Sequence, residues 1–485
     1  MRYSMLVYLT NMGKTLLEAA KYLRTSENRE LQADLLENGR QMIGQICSEL
    51  KRYGSDLYSS IPLELIRCIE GLWNKTGKSE ELEETLRKFI QILPNEIKYQ
   101  VRAVFFAELG EKWDSMESVY QFMRNDPRFD PVVVLTPIYR VVNQNGTQRK
   151  EVIYKDYLTS LGVPFLDYDK YSLTEDYPDL AFISQPYERC TPKEFWPEYI
   201  AKYTRLVYLN YGVLGAIFED SKESLCQLPV FRYAWKVPGS SEKFYQYYRK
   251  NAVNGGGNMV VTGLPKFDSV IRIKNEGTAI PEAWKEGVKN RTTILWNTWY
   301  DPMRSSIAIF DKIAEWFKLH DEYALIWRMH PMTDTVTKLY YPPQYYERLL
   351  KNIAEVERAP NMLVDKNASY DAAFYCSDAM ISDYSSMMFL YLLMDKPVLW
   401  IKHGNTNGPF SGQLLTGEAL IDWHWMEEAR NPEAIFPFIE RIRNGEDRNA
   451  YMRKVVCKQD IPLADGHCGE RICNILWDAM HKEDF

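Results

Sequence analysis

The stretch Ala379-Met380-Ile381-Ser382-Asp383-Tyr384-Ser385-Ser386-Met387-Met388-Phe389-Leu390-Tyr391-Leu392-Leu393-Met394 decides the fold. Its first three residues read as a short buried strand. A polar turn with two hydroxyls follows, and then eight apolar residues, Met387 to Met394. That run is too short to span a membrane and reads as a buried helix. A strand feeding directly into an apolar helix is half of a βαβ unit in a parallel sheet. The junction also carries chemistry. A helix start offers free N–H groups and the positive end of a dipole. Ser385 and Ser386 add hydroxyl donors. Open α/β sheets bind ligands at strand carboxyl ends, so this arrangement suits a diphosphate. N-capping by Asp383 or Ser385 is the plainer use of the same residues, and spacing alone does not choose between the two.

Working outward, further strands read at Thr293–Trp296, Tyr323–Arg328, Met362–Val364 and Pro397–Trp400, with a helix over Ser306–Leu319. Upstream lies a second series: Tyr99–Ala107 (YQVRAVFFA), Pro131–Thr136, Asp179–Ser184, Leu206–Asn210 and Met259–Thr262. Apolar runs alternating with helices predict parallel sheets covered on both faces. The chain divides into a helical region over 1–95, a first Rossmann-like domain over 96–275 and a second, nucleotide-binding one over 276–485, with a cleft between the last two. In the helical region Leu16, Ala20 and Leu23 share one helical face, and Leu31, Leu35, Met42 and Ile46 another. Two shorter helices follow near Leu63–Trp73 and Glu80–Ile92, the latter ending before Pro94. Basic and acidic residues number 13 each in residues 1–95, which disfavours a polybasic membrane anchor. This layer reads as a cap or a homo-oligomer contact, with docking to a membrane-bound acceptor or enzyme as the alternative.

Composition narrows the class. The net charge of -7 argues against a general nucleic-acid binder. The 8 cysteines are scattered, without CxxC spacing, which argues against a zinc ribbon and for a reducing compartment such as the cytoplasm. No apolar run reaches the roughly 18 residues of a spanning helix. The sequence has no GxxxxGK[ST] loop, no HExxH and no GxSxG setting for its serine pair. Asp167-Tyr168-Asp169 is a lone DxD tripeptide, too common a pattern to establish a metal site. No metal and no cofactor are expected.

Other strand ends carry polar residues. Trp327-Arg328-Met329-His330-Pro331 places Arg328 to neutralise phosphate and His330 to donate to it, although a lone histidine before a proline turn is more often structural. Asn297-Thr298-Trp299 ends the first strand of the second unit. Gly263-Leu264-Pro265-Lys266-Phe267-Asp268 reads by itself as a turn.

The ordered series GLPKFD, ILWNTW, WRMHP, SDYSS with its apolar helix, DKPV and DGHCGERI resembles the CDP-glycerol glycerophosphotransferase family over roughly residues 99–480, most specifically over 259–475. The resemblance implies a GT-B-like fold. It implies transfer of a polyol phosphate from a CDP-activated donor to an acceptor hydroxyl in cell-surface polymer synthesis, on a membrane-anchored glycan or polymer at the inner face of the membrane. It implies that His330 and the Ser385/Ser386 helix start hold the nucleotide diphosphate. The strand-end residues Arg328, Asn297, Thr298, Ser382 and Asp383, with Gly263 and Lys266, complete the candidate nucleotide site, and His330 also stabilises the charge on the departing CMP. Asp465, Gly466 and Arg471 match a closing motif of structural role. The chain departs from the family at one place. Members carry Trp-His-Gly-Thr in the first domain, with that histidine as base. Here Tyr211 stands in its position, in Leu209-Asn210-Tyr211-Gly212-Val213. All six histidines, His320, His330, His403, His424, His467 and His481, lie in the last third of the chain. The base then falls to the loop after the first strand. Asp114 of Trp113-Asp114-Ser115 leads, with Glu111 and Glu108 behind it, and Tyr211 orients the acceptor. Two other readings stand beside this one: a GT-B glycosyltransferase using a nucleotide sugar, and a non-catalytic nucleotide-binding scaffold that lost the base.

Overall fold

Val101–Ala107 and Thr292–Thr298 are apolar on both faces, and each becomes an inner strand of a parallel sheet. The computed structural model describes residues 1–53, 60–75, 77–143, 145–217, 226–402 and 418–485; His403 lies outside them. The first sheet runs Phe165–Asp167, Phe129–Leu135, Val101–Ala107, Leu180–Ile183, Arg205–Tyr208, every pairing parallel. A bridge between Val207 and Lys236 extends it toward the parallel pair Val237–Gly239 and Met259–Val261. The second sheet runs Met362–Asp365, Tyr323–Met329, Thr292–Thr298, Ala379–Ser382, Val398–Ile401, Glu427–Ala429, again all parallel. In both sheets the earliest strand lies inside, and the winding reverses beside it. That reversal opens a crevice at the carboxyl ends, the switch point of a doubly wound sheet. The fold is GT-B-like, with two facing Rossmann-like units.

Every expected strand is present. Among the strands not expected, Phe165–Asp167, Val237–Gly239 and Glu427–Ala429 are only three residues long and give no readable apolar run, and Ile138–Val141 and Gln148–Glu151 pair as a separate antiparallel ribbon. Residues Gly110–Ser115, expected as loop, form a 3-10 turn. Helix Glu80–Glu96 continues through Pro94, because a proline in the last turn removes only one hydrogen bond.

The units meet along a continuous core. Val213 of the first packs with Leu264 and Phe267 of the connecting helix and with Met388 and Phe389 of the second. Gly215 is required there, since a Cβ at that position would lie 2.0 Å from the Phe389 ring. Strands Ala216–Ile217 and Glu418–Ala419 pair antiparallel across the same boundary. The last helix, Cys468–Asp484, returns to the first unit, where Ile472, Cys473, Leu476 and Met480 pack against Val119, Tyr120 and Met123.

The N-terminal region is four helices, Tyr3–Thr25, Arg29–Arg52, Ile61–Asn74 and Glu80–Glu96, around their own core of Leu9, Leu16, Ile46, Ile66, Leu86 and Phe89. It docks within the chain. Ser4 N–H donates to Asp179 (3.0 Å), Arg2 pairs with Asp176 (2.8 Å), and Tyr3 Oη donates to Asp484 of the last helix (2.8 Å). The entry of helix Tyr3–Thr25 is thus fixed by the first sheet and the C-terminal helix, and the layer does not stand apart from the α/β body. No helix among the described residues is long and apolar enough to cross a membrane.

Candidate functional site

The switch point of the second sheet lies between the ends of Thr292–Thr298 and Ala379–Ser382. Asn297 Nδ2 donates to Ser382 Oγ across it (2.8 Å). Thr298 Oγ1 accepts from Trp327 Nε1 (3.2 Å) and is buried. Asp383, 5% exposed, accepts from Trp299 N–H (2.9 Å) and from Ser306 N–H and Oγ. A buried carboxylate with three donors is satisfied. It anchors the segment from Trp299 to Ser306 over the strand ends. Ser385 Oγ accepts from Met387 N–H (3.1 Å) and caps helix Ser386–Tyr391, which continues as a 3-10 turn to Met394. The capping reading of the opening stretch holds for Ser385, and half-buried Ser386 opens the helix at the crevice.

His330 is also at this crevice, its N–H bound to the Thr298 carbonyl (3.1 Å). Its Nδ1 accepts from Met332 N–H (3.0 Å). That bond puts the ring proton on Nε2, leaving Nε2–H as a donor. Burial pushes the pKa down to about 4, so the ring is neutral near pH 7. The Tyr300 ring meets it edge-on at 5.3 Å. Arg328 is engaged elsewhere. Its guanidinium pairs with the buried Asp365 and donates to the carbonyls of Asn367, Ala368 and Ser369. It clamps the loop after strand Met362–Asp365, and its charge is neutralised there.

The first sheet has its own switch point, between the ends of Val101–Ala107 and Leu180–Ile183. Ser184 Oγ donates to Glu108 Oε1 across it (3.0 Å). Lys112 Nζ lies 3.7 Å from the same carboxylate and 4.3 Å above the Tyr211 ring. Glu108 is 4% exposed. Burial raises its pKa and lowers that of Lys112. Burial, and Tyr187 beside it, push the Tyr211 phenol up as well, so it stays protonated at neutral pH. Asn210 Oδ1 accepts from Tyr208 Oη (3.2 Å) and Gly212 N–H (3.1 Å), shaping the turn that presents Tyr211.

The remaining sequence-derived residues form a joint between the units. Asp114 Oδ1 accepts from Lys266 Nζ (2.7 Å) and Oδ2 from Tyr370 Oη (2.8 Å). Asp268 caps the last helix, accepting from Cys468 N–H (2.9 Å) and Gly469 N–H (2.8 Å). Arg471 donates to the Thr262 carbonyl and to Asp465. Gly263, at φ +77°, lets this backbone close, since a Cβ would lie 2.5 Å from Cys468 Sγ. Glu111 Oε1 accepts from Tyr154 Oη (2.6 Å). Asp167 of the DxD tripeptide lies at the sheet's far edge, beside Lys155 and Lys170. The structure thus brings Asn297, Thr298, His330, Ser382, Asp383, Ser385 and Ser386 together at one crevice. Gly263, Lys266 and Asp114 sit at the joint. Lys112, Ser184 and Tyr370 were not singled out from sequence. Ser184 ends the DLAFIS strand and was readable as a strand-end polar group; Tyr370 gives no such signal.

A family model for CDP-Glycerol:Poly(glycerophosphate) glycerophosphotransferase matches residues 232–478, just over half of the chain. No curated protein matches. Among solved structures, a variant of the wall teichoic acid polymerase TagF is similar at TM-score 0.53 and 12% identity, covering 88% of this chain and 99% of that one. Another TagF variant, soaked with CDPG, gives TM-score 0.52 at 12% identity with the same coverage. A protein described as a UDP-N-acetylglucosamine 2-epimerase from Listeria monocytogenes gives 0.51 at 12% identity over 79% of this chain and 97% of that one. At these identities the structures speak to fold alone.

Proposed function

This chain belongs to the CDP-glycerol:poly(glycerophosphate) glycerophosphotransferase family, and on that premise we propose that it transfers glycerol phosphate, or a related polyol phosphate, from a CDP-activated donor to an acceptor hydroxyl. The observation that carries the reading is that the family match spans the second crevice, where His330 Nε2–H and the helix start at Ser386 converge beside a sheet switch point. The acceptor oxygen forms a bond to the phosphorus of the polyol phosphate as the bond to CMP breaks. CMP leaves with the electron pair. Preorganised neutral donors aimed at that growing charge stabilise it without rearranging. Arg328, held in its loop clamp, serves by fixing the crevice wall. The acceptor fits a cell-surface polymer in synthesis, with the protein working at the inner face of the membrane.

The experiment is a ligand panel on the purified chain: CMP, CDP and CDP-glycerol against UDP and UDP-N-acetylglucosamine, followed by thermal shift and calorimetry. Saturable protection by the cytidine nucleotides supports the reading. Preference for the uridine nucleotides would replace it with a nucleotide-sugar enzyme. Tyr211 in the histidine position favours a second reading, a scaffold that binds nucleotide without turnover. CMP release with any hydroxyl acceptor removes that reading.

A further inference from the structure

We propose that Glu108 is the acceptor-side general base of this chain, with Lys112 and Ser184 positioning its carboxylate and Tyr211 orienting the acceptor. The inference rests on the transfer reading above and deepens it. It begins from location. Glu108 and Ser184 close the switch point of the first sheet, the place where an open α/β sheet receives a ligand. Glu108 is buried at that switch point, and half-buried Lys112 reaches both its carboxylate and the ring of half-buried Tyr211.

The loop after Tyr211 reaches the second unit. Four residues beyond Tyr211, Gly215 lies against the ring of Phe389, three residues into the helix that Ser386 opens. Val213 is buried in the same interface. One short loop therefore joins the wall carrying Glu108 and Tyr211 to the wall that would hold the leaving nucleotide. The other acids of the loop are held away from this switch point: both oxygens of Asp114 bind across the joint to Lys266 and Tyr370, and Glu111 accepts from Tyr154. No histidine occurs before residue 320.

The electrostatics agree with the geometry. Burial raises the Glu108 pKa from its ordinary value, against the lowering by Lys112 and Ser184, which makes it a stronger base than an exposed acid. The groups facing it are Lys112, Cys190 and Tyr208, and Lys112 in turn feels Glu111 and Lys266. In the reaction the acceptor proton passes to the Glu108 carboxylate as the oxygen–phosphorus bond forms and CMP departs. The proton returns to solvent after the product leaves.

The test measures CMP release from CDP-glycerol with glycerol as the hydroxyl acceptor. Glu108→Gln should lower turnover about 100-fold or more while CDP binds as before. The unaltered enzyme should gain rate as pH rises through the Glu108 titration, and Glu108→Gln should lose that acidic limb. Glu108→Gln leaves Lys112 without its carboxylate, so the pair Glu108→Gln/Lys112→Met is run beside it and should lose the same turnover. Glu108→Asp keeps the charge, moves it back by one methylene, and should retain the limb at roughly a tenth of the rate. Unchanged turnover or an unchanged limb in folded Glu108→Gln, or in the double variant, overturns Glu108 as base and leaves the transfer reading intact. CDP binding without CMP release from the unaltered protein overturns both. Absence of CDP binding overturns the donor reading itself.

Discussion

The two sheet switch points are built alike and equipped differently. Each is bridged by one side-chain hydrogen bond between neighbouring strand ends, Ser184 to Glu108 in the first unit and Asn297 to Ser382 in the second. The first holds a buried acid and a half-buried amine with opposed pKa shifts. The second shows neutral donors to the cleft: an imidazole whose pKa burial has depressed, and a helix start. Its charged residues, Arg328 and Asp383, are turned inward and satisfied. The lesson is that one architecture presents two electrostatic environments, depending on which ionisable groups stand at the switch point and which are paired in the core. A proton-handling wall needs groups near their titration range. An anion-binding wall needs donors that hold still.

The comparison can be broken in several places. The largest effect is expected at Arg328. Arg328→Leu leaves Asp365, whose side chain is 0% exposed, without its cation and with only the Asn367 donors, and should cost about 3–5 kcal/mol in a urea unfolding series. A variant that folds normally and loses only CDP affinity would make Arg328 a ligand and erase the distinction. Next comes His330. Removing a donor to a charged ligand costs about 1.5–3 kcal/mol, so His330→Ala should weaken CDP by roughly tenfold or more in calorimetry; equal affinity would place the nucleotide elsewhere.

Asp114→Asn sharpens the contrast between joint and crevice. It removes the ion pair with Lys266 and keeps an acceptor for Tyr370, for a stability loss of about 1.5 kcal/mol. Turnover should fall far less than the roughly 100-fold expected of a missing base. A 100-fold loss with folding intact would move the base from Glu108 to Asp114. A pH dependence gives a separate check. His330 titrates at about 4 in the folded chain against 6.5 for the free side chain. Above 6.5 both states are neutral. As pH falls from 6.5 toward 4 the unfolded chain takes up a proton that the folded one does not, so stability is lost over that window. His330→Gln should lack this loss, visible as a flatter melting temperature between pH 6.5 and 4.5. An unchanged slope would mean that the imidazole is not held neutral.

The sequence by itself determined the two parallel sheets, the helical N-terminal region and the family. Those follow from local signals: apolar runs at Tyr99–Ala107 and Tyr323–Arg328, a strand entering an apolar helix at Ser385, and ordered motifs along one stretch of chain. It also marked the crevice residues Asn297, His330 and Ser382, because polar groups at strand ends are visible as breaks in apolar runs. What those groups do was decided by tertiary structure. Asp114 and Tyr370 are 256 residues apart and share one hydrogen bond. Arg328 meets carbonyls of a loop about 40 residues on. Glu108 gains its chemistry from Ser184, 76 residues away, and from burial. The titration and partners of an ionisable group depend on which distant residues fold around it, so no local pattern separates a charge that clamps the core from one that faces a substrate.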